Sequence, residues 1–151
     1  MPFRFSLQPL LNWKRSLEDQ SQMRLAGLMT RLKAQEDEIE RLTLQRLASE
    51  QKLKEKSEQG IRAGEYLLFT QFAEESGKEL ISQEDEKRRI LREIDQEREK
   101  LLALTKEKKT LERLKEKQLK EFLSRLQKAE QKRADEATTL KYQPRPRGDI
   151  S

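Results

Sequence analysis

Apolar positions recur along this chain at a spacing that suits one thin stripe on a helix. Leu25, Leu28, Leu32, Ile39 and Leu42 fall three, four, seven and three residues apart. That is the near-3.5-residue period of a seam that stays turned toward a partner helix. The stripe drifts through Leu47 to Leu53 and resumes with Ile90, Ile94, Leu101, Leu104, Leu111 and Leu114. Leu119, Phe122, Leu126, Ala129 and Leu140 continue it. Between the two stripes, Gly60, Gly64 and Gly77 hold three of the five glycines in the sequence, and glycine is what lets a backbone reverse. The prolines, Pro2, Pro9, Pro144 and Pro146, all lie outside residues 10–143, so nothing forces either stripe to break. Ser6, three residues before Pro9, suits a helix cap, because first-turn amides have no intrahelical partner for a proline to remove.

The pattern predicts an all-α chain in which residues 1–143 form a single antiparallel coiled-coil hairpin. Helix one runs over about 6–58, the bend over about 59–77 and helix two over about 78–141, with 144–151 a disordered tail. At about 1.5 Å per residue, each helix would reach on the order of 80–90 Å. So narrow a stripe is marginal on a lone helix, so it must be covered. Near-equal helices around one bend can cover each other; a continuous helix pairing with a second chain is the other solution. On the outer faces, Glu84 with Arg88, Asp85 with Arg89 and Glu116 with Lys120 are acid-before-base pairs at i,i+4, each contributing about 0.3 kcal/mol.

Composition narrows the chemistry. Of 151 residues, 40% are charged and 33% hydrophobic, whereas an ordinary globular domain is close to half apolar. Five Gly and four Pro are few for a disordered chain, which leaves long helices. With no Cys and no His, there is no disulfide framework, thiolate zinc site, cysteine nucleophile or imidazole base. A two-helix hairpin offers no concave pocket for the remaining carboxylates and lysines to work in, so no catalysis, cofactor, metal or small-molecule substrate is expected. No G-x-x-x-x-G-K-[ST] pattern accompanies Gly60 and Gly64. Glu36, Asp37, Glu38 and Glu40 point in different directions on a helix and read as a solvated face. Residues 1–15 lack the continuous apolar stretch of a signal peptide. No apolar run approaches the roughly 20 residues of a membrane span, which predicts a soluble or peripheral protein. Net charge is +5 with the signs interspersed. Residues 106–120 carry seven cations against three anions without aromatic residues for base stacking, which favours a solvated face over nucleic-acid binding.

Two clusters stand apart. Tyr66, Phe69 and Phe72 are spaced by three in a chain with eight aromatics. They either plug the end of the hairpin or form a docking patch there. Phe3, Phe5, Leu7, Leu10, Leu11 and Trp13 gather beside Arg4, Lys14 and Arg15, with Lys128, Lys132 and Arg133 returning on helix two. This terminal end is either a staple closing the coil or an apolar knob ringed by cations, suited to a socket on another protein.

The opening Phe3-Arg4-Phe5-Ser6-Leu7-Gln8-Pro9-Leu10-Leu11, with Trp13-Lys14-Arg15, resembles the start of the flagellar FliJ family. Lys108-Lys109-Thr110-Leu111-Glu112-Arg113-Leu114-Lys115-Glu116-Lys117 is similar to that family's K-x-L-E-+-L-K-E-+ stretch. The resemblance implies a non-enzymatic component of the flagellar type III export apparatus, located in the cytoplasm and peripheral to the cell membrane. Implied partners are a hexameric export ATPase, whose central hole the coiled coil enters, the cytoplasmic domain of the membrane export gate, and export chaperones. The family's ATPase-facing end is the one bearing the chain termini, which assigns that role to Phe3, Phe5, Leu7, Leu10, Leu11 and Trp13, helped by Lys128, Lys132 and Arg133. Tyr66, Phe69 and Phe72 are the candidates for the gate. A scaffold coiled coil and the equivalent stalk of a virulence secretion system are the alternatives.

Overall fold

The computed structural model describes residues 2–141 and contains two helices, α1 (Gln8–Gln59) and α2 (Ala63–Lys141), with no strand among the described residues. The tail expected at 144–151 lies outside them. Helix α1 begins two residues later than the Ser6 expectation, behind a turn at Ser6 and Leu7. The Gln8 amide donates to the Phe5 carbonyl at 3.0 Å and the Leu11 amide to the Leu7 carbonyl at 2.9 Å. Pro9 therefore sits in the first turn, where its missing N–H forfeits no helical bond.

The bend is much shorter than 59–77. Only residues 60–62 separate the helices, and α2 starts at Ala63 rather than near 78. Gly60, at φ +93°, is the only described residue with a left-handed backbone, and one such residue after Gln59 suffices to terminate α1. Gly64 and Gly77 lie inside α2. Gly77 has a packing role instead: a Cβ there would stand 2.9 Å from Arg46 Nη1, so its bare backbone leaves room for the guanidinium.

Where the sequence suggests one unit, contacts group the chain into two: Ser16–Leu104, and the residues up to Arg15 together with those from Thr105 onward. Within Ser16–Leu104 the two helices pack as an antiparallel coiled-coil hairpin. Ser21 meets Glu97, Gln35 meets Gln83 and Arg46 meets Ser76, numbers rising on α1 as they fall on α2. Leu42, Ile90, Ile94 and Leu104 are buried, each such side chain contributing about 1.5–3 kcal/mol; Leu25, Leu28, Leu32, Ile39 and Leu101 are half-buried beside them. The three-four spacing that links these apolar positions also carries Ser21, Gln35 and Arg46 in α1 and Ser76, Gln83 and Glu97 in α2. The seam is therefore interrupted by polar layers. Among the described residues no buried side-chain polar atom lacks a hydrogen bond, and satisfied polar layers fix the register of a coiled coil.

The second unit packs the N-terminal residues along α2. Phe5 and Leu11 are buried, and the Phe3 ring lies 5.6 Å from that of Phe122. Lys14 pairs with Glu107 at 2.6 Å and Arg15 with Glu112 at 3.5 Å. The seam expected to run on through Leu126 and Ala129 stops at Phe122: every residue from 123 to 141 is exposed. Its last ring contact among the described residues is that of Phe3 with Phe122. Of the three surface pairs, Glu116 with Lys120 forms at 3.4 Å. Asp85 and Arg89 turn instead to i,i+3 neighbours, Arg88 and Glu86.

Candidate protein-docking sites

At the terminal cluster the sequence-predicted residues separate into two sets. Phe5, 6% exposed, and Leu11, fully buried, face inward, and half-buried Phe3 leans on Phe122. These three close the unit, as a staple would. Leu7, Leu10 and Trp13 turn the other way, with 55% of Trp13 open to solvent. Leu10 and Trp13, three apart in the opening turns of α1, share a side of the helix. Lys14 Nζ stands 5.0 Å from the Trp13 ring centroid while pairing with Glu107, so the exposed indole carries a cation over its face. Arg4, Lys115, Phe3 and Phe5 line a shallow groove with the first residues of α1. Lys128, Lys132 and Arg133 are exposed on α2 beyond Phe122, roughly 9–17 Å further along the helix at about 1.5 Å per residue.

At the hairpin's closed end, the start of α2 sets the geometry. The Tyr66 amide donates to the Arg62 carbonyl at 3.0 Å, so helical pitch is established by Tyr66, and the aromatic residues that follow are held on a formed helix. Phe69 is half-buried against α1 and carries Lys56 Nζ 5.7 Å from its centroid. Tyr66, at 51%, and Phe72, at 37%, are exposed, as are Leu67 and Leu68. One ring thus plugs and two display. Phe69, Phe72 and Ser49 border each of the shallow hollows of this end, and one of them is completed by Lys56, Glu65 and Leu68. Lys56 and Glu65 approach to 4.0 Å across the mouth. Neither was flagged by composition, but Lys56 continues the three-four spacing of Leu42, Arg46, Ser49 and Leu53, and that spacing is the signal that locates it.

One ionisable group on the seam is strongly placed. Ser21 Oγ donates to Glu97 Oε1 at 2.7 Å and Arg24 Nε to the same oxygen at 3.0 Å. The Ser21 bond first, then the Arg24 bond and charge, hold the Glu97 carboxyl below its usual range, against the opposing effect of burial. Two members of the acidic run of α1 form surface pairs, Asp37 with Lys33 at 3.0 Å and Glu38 with Arg41. No described helix is long and apolar enough to cross a membrane.

No curated protein and no solved structure matches the chain. A family model described as the flagellar FliJ protein matches residues 3–147. Because the match spans both helices and both clusters, the chain belongs to the FliJ family, a non-enzymatic component of flagellar protein export.

Proposed function

We propose that this protein is the stalk of the flagellar export ATPase: its terminal cluster enters the central hole of the hexamer and stimulates ATP hydrolysis. The hairpin end bearing Tyr66, Phe69 and Phe72 then engages the cytoplasmic domain of the membrane export gate, and export chaperones associate with the same protein at the inner face of the membrane. The observation that carries the reading is the split at the terminal cluster. Phe5 and Leu11 are consumed by packing, while Leu7, Leu10 and Trp13 stand exposed beside Lys14. A large aromatic with an apolar neighbour on a rigid helix is what an interface hot spot requires, and nearby cations speed encounter with an acidic socket. A shaft touching the subunits of a ring unequally binds their conformations unequally, and only such differential binding shifts a conformational equilibrium.

The assay is ATP hydrolysis by the purified export ATPase with and without this protein. Trp13→Ala combined with Leu10→Ala is expected to reduce apparent affinity by about 10-fold or more, the size of a hot-spot loss, with wild-type helicity by circular dichroism because both side chains are exposed. Undiminished stimulation by the double variant would overturn the assignment.

A further inference from the structure

Beyond Phe122, α2 carries a second stripe that is distinct from the seam it shares with α1. Leu123, Leu126, Glu130, Arg133, Ala137 and Leu140 follow one another at steps of three, four, three, four and three, a heptad spacing displaced by one position from the line through Leu111, Lys115, Gln118 and Phe122. All six are exposed, the leucines at 52%, 42% and 70%. A stripe with this period is built for another helix.

We propose that this stripe is a homodimer interface, in which the overhang of one molecule pairs antiparallel with the same overhang of a second copy. The charges choose both partner and direction. In a parallel self-pair, Glu130 would face Glu130 and Arg133 would face Arg133 in the seam, like charges in contact at both layers. In an antiparallel pair centred between residues 131 and 132, Leu123 faces the partner's Leu140, Leu126 faces the partner's Ala137, and Glu130 faces the partner's Arg133. Two-fold symmetry repeats each layer, as an isologous contact must. The flanking positions within the stripe accept it, Ala129 meeting the partner's Glu136 and Gln127 the partner's Ala134, and the one like-charge approach, Lys141 with the partner's Lys120, falls at the solvated ends. The alanines allow the helices to approach closely. Two apolar layers on each side of a reciprocal ion-pair centre make a short interface, so the dimer is weak and reversible.

The test is sedimentation velocity of the full chain alone, from about 1 µM to about 1 mM, the range in which an interface this short titrates. Wild-type protein is expected to pass reversibly from monomer to dimer. Arg133→Glu should raise the dissociation constant about 10-fold or more by replacing two attractive contacts with two repulsive ones. Combining it with Glu130→Arg restores opposite charges across the two-fold axis and should recover the wild-type constant to within about 3-fold. Leu126→Asp should leave a monomer. Circular dichroism checks that each variant keeps its helices. A wild-type chain that stays monomeric throughout, a charge reversal without effect, or a charge swap that fails to rescue overturns the proposal.

Discussion

The seam residues with the most definite local chemistry are polar. Ser21, Arg24 and Glu97 share one carboxylate oxygen across the two helices, and Glu97 is only 13% exposed. Its carboxyl titrates below the ordinary value of 4.5 because Ser21 and Arg24 bond the charged form. A depressed folded-state value means that the unfolded chain takes up the proton more readily. The stabilisation is therefore complete above the unfolded value and is lost as pH falls through the folded one. Chemical denaturation measured from about pH 6 down to about pH 2 should show stability declining below about pH 4.5. Glu97→Gln, which keeps an acceptor oxygen but does not titrate there, should have a shallower decline; equal slopes for the two proteins would contradict the assigned role. None of this was legible in a scan for apolar periodicity, which passes over a serine and a glutamate. The polar layers became predictable only once Leu25, Leu28, Leu32 and Ile39 had fixed the three-four rhythm, on which Ser21 and Gln35 fall as the missing steps.

Helix boundaries were the least legible feature, and glycine was the reason. Three glycines over eighteen residues suggested a long bend, yet only Gly60 has the positive φ that a reversal needs. Gly64 is an ordinary helical residue near the N-terminus of α2, and Gly77 is small because Arg46 crosses it, donating to the Ala73 carbonyl and Ser76 Oγ at 3.0 Å each. Composition cannot separate these three uses, whereas backbone conformation can. The difference is measurable. Gly60→Ala should destabilise the hairpin by about 1 kcal/mol or more, since an L side chain is strained at that φ. Gly64→Ala, with open space around its Cβ position, should stabilise it by about 0.5–1 kcal/mol through helix propensity and a less flexible unfolded chain. Thermal melts of the two variants should shift in opposite directions, and a common direction would refute the boundary at Gly60. The terminal cluster was legible as a cluster but not as a division. Phe5 and Trp13 look equally apolar in sequence, and only the folded structure shows that Phe5 is enclosed while Trp13 is open.

At the scale of the whole molecule, the two candidate docking surfaces belong to different compact units, and α1 and α2 each run without interruption from one unit into the other. Any mechanical link between the surfaces must therefore pass through paired helical backbone, whose stiffness depends on intact hydrogen bonding and a filled seam. Leu104 is the last buried position of α2 before the unit boundary. Proline there removes an interior helical hydrogen bond and clashes with the preceding turn, at a cost of about 3 kcal/mol or more. It leaves Leu7, Leu10 and Trp13 chemically unchanged. Leu104→Pro, and likewise Leu32→Pro in α1, is expected to abolish stimulation of the export ATPase. Glu112→Lys should behave nearly as wild type, because its 3.5 Å pair with Arg15 is exposed on both sides and such pairs contribute about 0–1 kcal/mol. Leu104 lies one turn from Glu107, the partner of Lys14 beside Trp13, so Leu32→Pro, about five helical turns from Trp13, is the variant that separates stiffness from contact: a protein that only delivers an apolar knob to a socket tolerates a kink there, whereas one that works as a shaft does not. Wild-type stimulation by the Leu104→Pro variant would reject the shaft while leaving the docking residues in place.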